Sequence, residues 1–454
     1  MLDINDLHDY QKSTVNAIVL NEKLALWLDM GLGKTIITLT AIDWLLKKQK
    51  IDKVLIIAPK TVCENVWSQE AKQWNHVKDL KISLVTGTEK ERIDALKADA
   101  DIYVISRDNV AWLFLQDYFK ADMLVIDESS SFKDRSTKRW AALMQKSLNI
   151  GGKKHFRKTK MIDMFNRVLL LSGTPASESY AGLWAQIALL KPTDNPLEKT
   201  ISAFREKYMI PQILKGYPVY IKMRDGAVDE INNKLVGLCI SMKSEDYLQL
   251  PDRIDIKSYF ANNDTYKEMS VNGFICPDNV DIIAGDTFTL YTKLQQLSSG
   301  FIYDDKNEVH IINNNKLNVL KELLESTNEN VLIMYHFQYE KEQLKKIGGV
   351  ALEDEKSIKK WQDGKIKIGL LYPASGGYGL NLASGGSIII WYTLPLSLEQ
   401  YLQANKRIHR QGQKKVVRII HLLMRDSLDE YIYKLLQAKQ DVLNGLMEYF
   451  KKVF

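Results

Sequence analysis

Cysteine is scarce: three residues in 454, at positions 63, 239 and 276. They are too scattered, and odd in number, to form a disulfide framework or a zinc site. Ten prolines and 24 glycines leave no room for a low-complexity linker, and no internal repeat is present. No apolar run approaches the roughly 18 residues that a membrane span requires; the longest, such as Val331 to Met334 and Ile388 to Tyr392, have the length of strands. The opening Met1-Leu2-Asp3-Ile4-Asn5-Asp6 lacks the basic and apolar regions of a secretory signal. A soluble, intracellular chain with no membrane association is therefore expected. Hydrophobic residues (45%) and charged residues (26%) form an ordinary globular mixture, which excludes a disordered or collagen-like chain. The length suggests about three domains.

The net charge of +6 is modest but unevenly distributed. Between Lys133 and Lys160 ten basic residues stand against Asp134 alone, and Tyr401 to Arg418 carries six basic residues and no acid. The remainder is net acidic. Local basic concentration suits a polyanion surface, because Lys and Arg release counterions from a phosphate backbone. A solvated basic loop is the competing reading.

Phosphate chemistry is written nearby. The apolar run Leu24 to Leu28 is followed by Asp29-Met30-Gly31-Leu32-Gly33-Lys34-Thr35, then by a helical pattern from Ile36 to Leu46. Strand, glycine-rich turn and helix is the setting of a phosphate loop. Gly31 and Gly33 let backbone N–H groups converge on a phosphate at a helix N-terminus. Lys34 is placed to reach the β- and γ-phosphates, and Thr35 to ligate Mg²⁺. The glycine that usually stands five residues before Gly33 is Leu28 here. Met123 to Ile126 is a second apolar strand, ending in Asp127-Glu128. Such a pair offers one carboxylate for Mg²⁺ and a second to orient and deprotonate water. Together these features indicate an Mg²⁺-dependent nucleotide hydrolase.

Strands expected near 54–58, 82–86, 102–105, 122–126 and 167–171 alternate with helices, the pattern of a parallel α/β sheet. A second set spans Val331 to Tyr335, Lys365 to Tyr372, Ser387 to Tyr392 and Val416 to Leu422. The expected fold is α/β: two parallel-sheet lobes, 1–195 and 306–454, flanking a mixed, partly helical linking region, 196–305. The second lobe has no phosphate loop of its own. On an expected helix after Leu394-Pro395, Arg407 and Arg410 fall on one face by their i, i+3 spacing. They are candidates for stabilising transition-state charge, with backbone binding or surface ion pairs as the alternative.

Five segments now form an ordered series: D-M-G-L-G-K-T (29–35), D-E-S-S (127–130), L-S-G-T-P (171–175), G-L-N-L (379–382) and Q-A-N-K-R-I-H-R-Q-G-Q (403–413). They resemble motifs I, II, III, V and VI of superfamily 2 helicases, and the last string resembles the Swi/Snf-type DNA translocases in particular. Leu7-His8-Asp9-Tyr10-Gln11 resembles the motif whose glutamine recognises adenine, and Ile57-Ala58-Pro59-Lys60 resembles motif Ia. The resemblance implies two RecA-like lobes, catalytic roles for Glu128, Arg407 and Arg410, and nucleotide contacts from Gln11, Gly31, Gly33, Lys34, Thr35 and Gly379. It implies Mg²⁺ ligation by Thr35 and Asp127. For nucleic acid it implies contacts from Lys60, Thr61, Arg107, Thr174 and Ser375. The basic run adds Lys153, Lys154, Arg157 and Lys158, with Trp140 and Phe156 as nearby aromatics for base stacking and buried packing the favoured reading for Trp140.

One departure is evident: Ser129 and Ser130 stand where the family commonly has Ala and His. Any coupling made by that histidine must be made differently here. The short format resembles phage- or bacterial-type members, so a bacterial or phage-infected cytoplasm is the expected setting, and a monomer the expected state. The leading expectation is an ATP-driven translocase on double-stranded DNA. A strand-separating helicase on branched DNA, single strands or RNA is the nearest rival, with a hairpin in 211–260 as a possible wedge. An ATP-switched binding module that does not step is the rival from another class.

Overall fold

The computed structural model describes residues 1–214, 217–374 and 381–451. Residues 375–380, which include Ser375 and Gly379, lie outside them. The chain forms two compact units, Met1–Leu248 with Asp441–Phe454, and Gln249–Gln440.

The first unit is built on β1 (Lys23–Leu28), β2 (Val54–Ala58), β3 (Ile82–Val85), β4 (Ile102–Ser106) and β5 (Met123–Ile126). A hairpin of β6 (Ser147–Ile150) and β7 (Lys153–Phe156) follows, then β8 (Arg167–Ser172). A second hairpin, β9 (Met209–Leu214) with β10 (Tyr217–Met223), precedes β11 (Cys239–Met242). Seven strands form one all-parallel sheet in the order β11-β1-β8-β5-β2-β4-β3. Its central strands are continuous apolar runs: Val54 to Ala58 and Met123 to Ile126 are fully buried. A parallel sheet covered by helices on both faces demands that composition.

The second unit contains β12 (Arg253–Phe260), the short pairs β13 (Phe274–Ile275) with β14 (Ile282–Ile283) and β15 (Phe301–Tyr303) with β16 (Val309–Ile311), then β17 (Val331–Met334), β18 (Val350–Ala351), β19 (Ile368–Leu371), β20 (Ile388–Trp391) and β21 (Val417–Met424). Six of them form a second all-parallel sheet, β12-β21-β20-β17-β19-β18. The α/β class with two parallel-sheet lobes is thus the observed architecture. Two edge strands come from within residues 196–305: β11 joins the first sheet and β12 the second. The helix Leu428–Lys451 starts in the second unit, and its residues from Asp441 belong to the first. Among the described residues no helix is long and apolar enough to cross a membrane.

Candidate nucleotide and nucleic-acid sites

In the first sheet the register fixes which strand ends meet. Trp27 lies beside Ser172, Ile126 beside Leu170 and Ile57, and Ala58 beside Ser106. The segments that follow these strands are the phosphate loop, Asp127-Glu128, Gly173-Thr174-Pro175, Pro59-Lys60-Thr61 and Arg107. All therefore emerge at the carboxyl edge of one sheet, where open parallel α/β sheets carry their ligand sites.

The helix Lys34–Lys47 starts directly after Gly33, which takes φ +79°. A Cβ there would also stand 2.4 Å from Gln11 Nε2, so a side chain at this position would displace the Gln11 amide. Gln11 is buried; its Nε2 donates to the Leu32 carbonyl (3.3 Å) and its Oε1 accepts from the His8 N–H (2.9 Å). The helix that carries it, Asp9–Leu20, is held at its far end by Arg167 of β8, which donates to the carbonyls of Ile18, Val19 and Asn21. Asp29 is fastened by the Ser244 N–H and hydroxyl (3.2 and 3.0 Å), and the Tyr10 ring packs 4.6 Å from Tyr247. The Lys34 ammonium donates to the Leu28 carbonyl at 2.8 Å. Thr35 is half-exposed at the first turn of its helix.

Asp127 is buried, and burial pushes its carboxyl up against the opposing pull of the Lys34 charge. Its Oδ1 accepts from the Glu128 N–H at 3.0 Å. Glu128 sits in the left-handed region, φ 50° and ψ 57°, a conformation that costs a residue with a Cβ about 1 kcal/mol or more. The strain turns the chain abruptly at the end of β5. The buried carboxylate at a strand end, facing a glycine-lined helix N-terminus, is a donor set that fits Mg²⁺ and a nucleotide phosphate. Gly173 closes in on the same loop: a Cβ there would lie 3.4 Å from the Leu28 carbonyl and 3.7 Å from Lys34 Nζ.

Ser129 and Ser130 are both fully buried. Ser129 Oγ donates to Gln186 Oε1 (2.9 Å), and Gln186 Nε2 donates to the Pro175 carbonyl (2.8 Å). Residues 127–130 and 173–175 are thereby joined through a side chain that the sequence analysis did not single out.

The candidate nucleic-acid residues differ in access. Lys60 is exposed, Thr61 and Arg107 are half-buried, and Thr174 is buried. Lys153, Lys154 and Lys158 are exposed on or just after the β6–β7 hairpin. Arg157 is committed inward: its guanidinium donates to the Phe114 carbonyl at 2.9 Å, and burial pulls its pKa down. Trp140 is buried and donates to the Ala185 carbonyl (2.9 Å), whereas Phe156 is 72% exposed.

Arg407 and Arg410 are in the second unit, and the expected helix does not carry them. That helix spans Leu398–Asn405 and ends first. The Arg407 carbonyl accepts from the Leu382 N–H (3.0 Å) instead of continuing the helical ladder, and Asn405 is drawn to the Trp391 indole N–H (3.0 Å). Both arginines therefore occupy a turn, Arg407 buried and Arg410 half-buried with its pKa pulled down by burial. The turn is stapled to residues 382–386 by Gln413, which donates to the carbonyls of Ala383 and Gly386 at 2.8 Å each. His409 holds its other side through the Pro251 carbonyl (2.9 Å).

The sequence of residues 10–269 matches the model of the SNF2-related domain, more than half of the chain. The chain belongs to that family and is a Swi/Snf-type member of helicase superfamily 2, an ATP-hydrolysing enzyme. It is 28% identical to putative protein p41 of Acyrthosiphon pisum secondary endosymbiont phage 1, over 98% of both chains. It is 24% identical to the SWI/SNF-related matrix-associated actin-dependent regulator of chromatin subfamily A-like protein 1 of Xenopus laevis, over 98% of this chain but 45% of that one. The chain thus spans less than half the length of that relative. Among solved structures, the Sulfolobus solfataricus SWI2/SNF2 ATPase core in complex with dsDNA aligns with 98% of this chain and 94% of its own, at 20% identity and a TM-score of 0.46.

Proposed function

We propose that the protein is an ATP-driven translocase that tracks along double-stranded DNA and remodels DNA or DNA–protein complexes. The observation that supports this best is the shared carboxyl edge of the first sheet. Strand register gathers there the phosphate loop, Asp127-Glu128 and the exposed or half-exposed Lys60, Thr61 and Arg107. A polyanion gripped by one set and a nucleotide held by the other would share the same strand ends.

In this reading Gly31, Gly33 and Lys34 hold the phosphates, Gln11 faces the base, and Thr35 with Asp127 would hold Mg²⁺. The metal supplies charge neutralisation on the phosphate oxygens. Glu128 orients the attacking water and takes its proton. Arg407 and Arg410 are assigned by the family resemblance to the charge that develops during hydrolysis. Lys60, Thr61 and Arg107 contact the phosphate backbone, which gives grip without sequence information.

The test is steady-state ATP hydrolysis without nucleic acid and with single-stranded DNA, a length series of duplexes, branched DNA and RNA. A motor on duplex DNA gives strong duplex stimulation that rises with length and then levels off. A switch gives length-independent turnover. Stimulation by single strands, junctions or RNA alone would overturn the duplex substrate.

A further inference from the structure

We propose that the β6–β7 hairpin is a stacking pin that takes an unpaired nucleobase against Phe156. The polymer class rests on the nucleic-acid motor reading above; the site itself rests on the hairpin.

The register gives the hairpin two different faces. Ser147 pairs with Phe156 and Asn149 with Lys154, while Leu148 pairs with His155 and Ile150 with Lys153. Paired residues share a face. Leu148 is buried, and β6 packs on the helices Val110–Leu113 and Lys138–Met144, so that face belongs to the core. The opposite face presents Phe156, Lys154 and Asn149 to solvent. Phe156 is 72% exposed, and the Lys154 ammonium lies 5.3 Å from its ring centroid. A protein partner's apolar surface is met by several apolar side chains together; here a single ring is set among an ammonium and an amide. One ring for a base, lysines for the flanking phosphates and an amide for a polar edge is the composition of a single-strand platform. Bases inside a duplex already stack on their neighbours, so this ring requires a base that is unpaired.

The hairpin is also built to hold the ring still. Gly151 and Gly152 both take positive φ (57° and 77°), the requirement of a two-residue turn whose twist matches the strands. A Cβ on either would meet nothing within 4 Å, so the turn projects freely. At the other end Arg157, the residue after Phe156, is tied to the Phe114 carbonyl and lies over the Phe114 ring at 5.7 Å. The exposed phenyl thus stands on a closed ladder with a half-buried guanidinium at its foot. From Ser147 to Lys160 the segment contains no acid.

The experiment compares the full-length protein with Phe156→Ala, Phe156→Trp and Lys154→Gln. Without ATP, each is titrated onto a forked duplex carrying 2-aminopurine in its unpaired arm, the same arm as free DNA and as RNA, and a closed circular duplex. The expected result is that Phe156→Ala weakens binding to the fork and free strands by roughly five- to a hundredfold and removes the change in 2-aminopurine fluorescence. Phe156→Trp keeps both, and Lys154→Gln weakens binding while sparing the fluorescence. Loss on the closed circle stays under twofold. Unchanged fork affinity and fluorescence in Phe156→Ala, or an equal loss on the fully paired circle, would overturn the pin. Hydrolysis by the unaltered protein on the circle is measured alongside. Its absence would fail the motor reading and leave the stacking result standing.

Discussion

Ser129 Oγ donates a hydrogen bond to Gln186 Oε1 at 2.9 Å, and both side chains are buried. Through Gln186 Nε2 the contact continues to the Pro175 carbonyl, so the segment after the acidic pair is tied to Thr174-Pro175. Ser129→Ala strands a buried amide oxygen, at a cost of about 1–3 kcal/mol. Gln186→Leu removes both bonds at once, together with a third from Nε2 to the Gly182 carbonyl at 3.2 Å. A double-mutant cycle by urea unfolding should show that Ser129→Ala adds little on top of Gln186→Leu. Strict additivity would mean that the two side chains do not act as a unit.

Glu128 is assigned both strain and chemistry. Glu128→Gln, Glu128→Ala and Glu128→Gly should all abolish ATP hydrolysis while leaving ATP binding intact. Their stabilities should separate: at φ 50° glycine avoids the Cβ clash, so Glu128→Gly should exceed Glu128→Ala by about 1 kcal/mol. That order is the reverse of glycine's usual effect within regular elements. Equal midpoints in denaturant would deny the strain.

Arg410→Ala should keep ATP and nucleic-acid binding but lose stimulated hydrolysis by about 10³-fold or more, if the arginine meets transition-state charge. Single-turnover rates distinguish this from slowed product release. Full stimulation in the variant would remove Arg410 from the catalytic set.

His421 predicts a pH dependence. It is buried in the second unit, with Nδ1 donating to the Ile256 carbonyl (3.2 Å) and Nε2 accepting from the Tyr401 hydroxyl (2.9 Å). Burial brings its pKa down to about 4. The unfolded chain, with a histidine pKa near 6.5, binds the proton first as pH falls. Stability should therefore be fully present above about pH 6.5 and decline towards pH 4, by about 3 kcal/mol in all. Hydrogen exchange on β20 and β21 should follow that curve, and His421→Asn should flatten it. An unchanged slope in His421→Asn would assign the acid sensitivity elsewhere.

Much of this was legible in the sequence because it is local. Central strands such as Val54–Ala58 and Ile388–Trp391 are short apolar runs that cannot sit anywhere but inside a covered sheet. The phosphate loop reads in seven consecutive residues. The two edge strands were not legible: β12 alternates Ile254-Asp255-Ile256-Lys257, and its partner β21 lies more than 160 residues away. Ser244 likewise reaches Asp29 of the phosphate loop, and Tyr247 the Tyr10 ring, from over 200 positions downstream. Gln186 carries no motif signal, since its role depends on a serine 57 residues earlier. The β6–β7 hairpin did leave a mark, Gly151-Gly152 between two strand-length stretches, which the surrounding basic charge obscured. Local spacing reads the arginine turn as helix because the contact from the Leu382 N–H to the Arg407 carbonyl is invisible to it.

The helix Leu428–Lys451 finishes in the first unit, where Phe450 stands edge-on to Trp27 of β1 at 5.1 Å and the Met447 carbonyl accepts from Ser241. Trp27 lies two residues before Asp29, where the phosphate loop begins. On a ribosome the strand that bears this loop is made before the second unit, and Phe450, which packs on its tryptophan, after it. All of the second unit is synthesised in between, about ten to forty seconds at ~5–20 residues per second. During that interval Trp27 would lack its contact with Phe450. Hydrolytic competence should accordingly appear only once the helix Leu428–Lys451 leaves the exit tunnel, a delay readable in stalled nascent chains of increasing length.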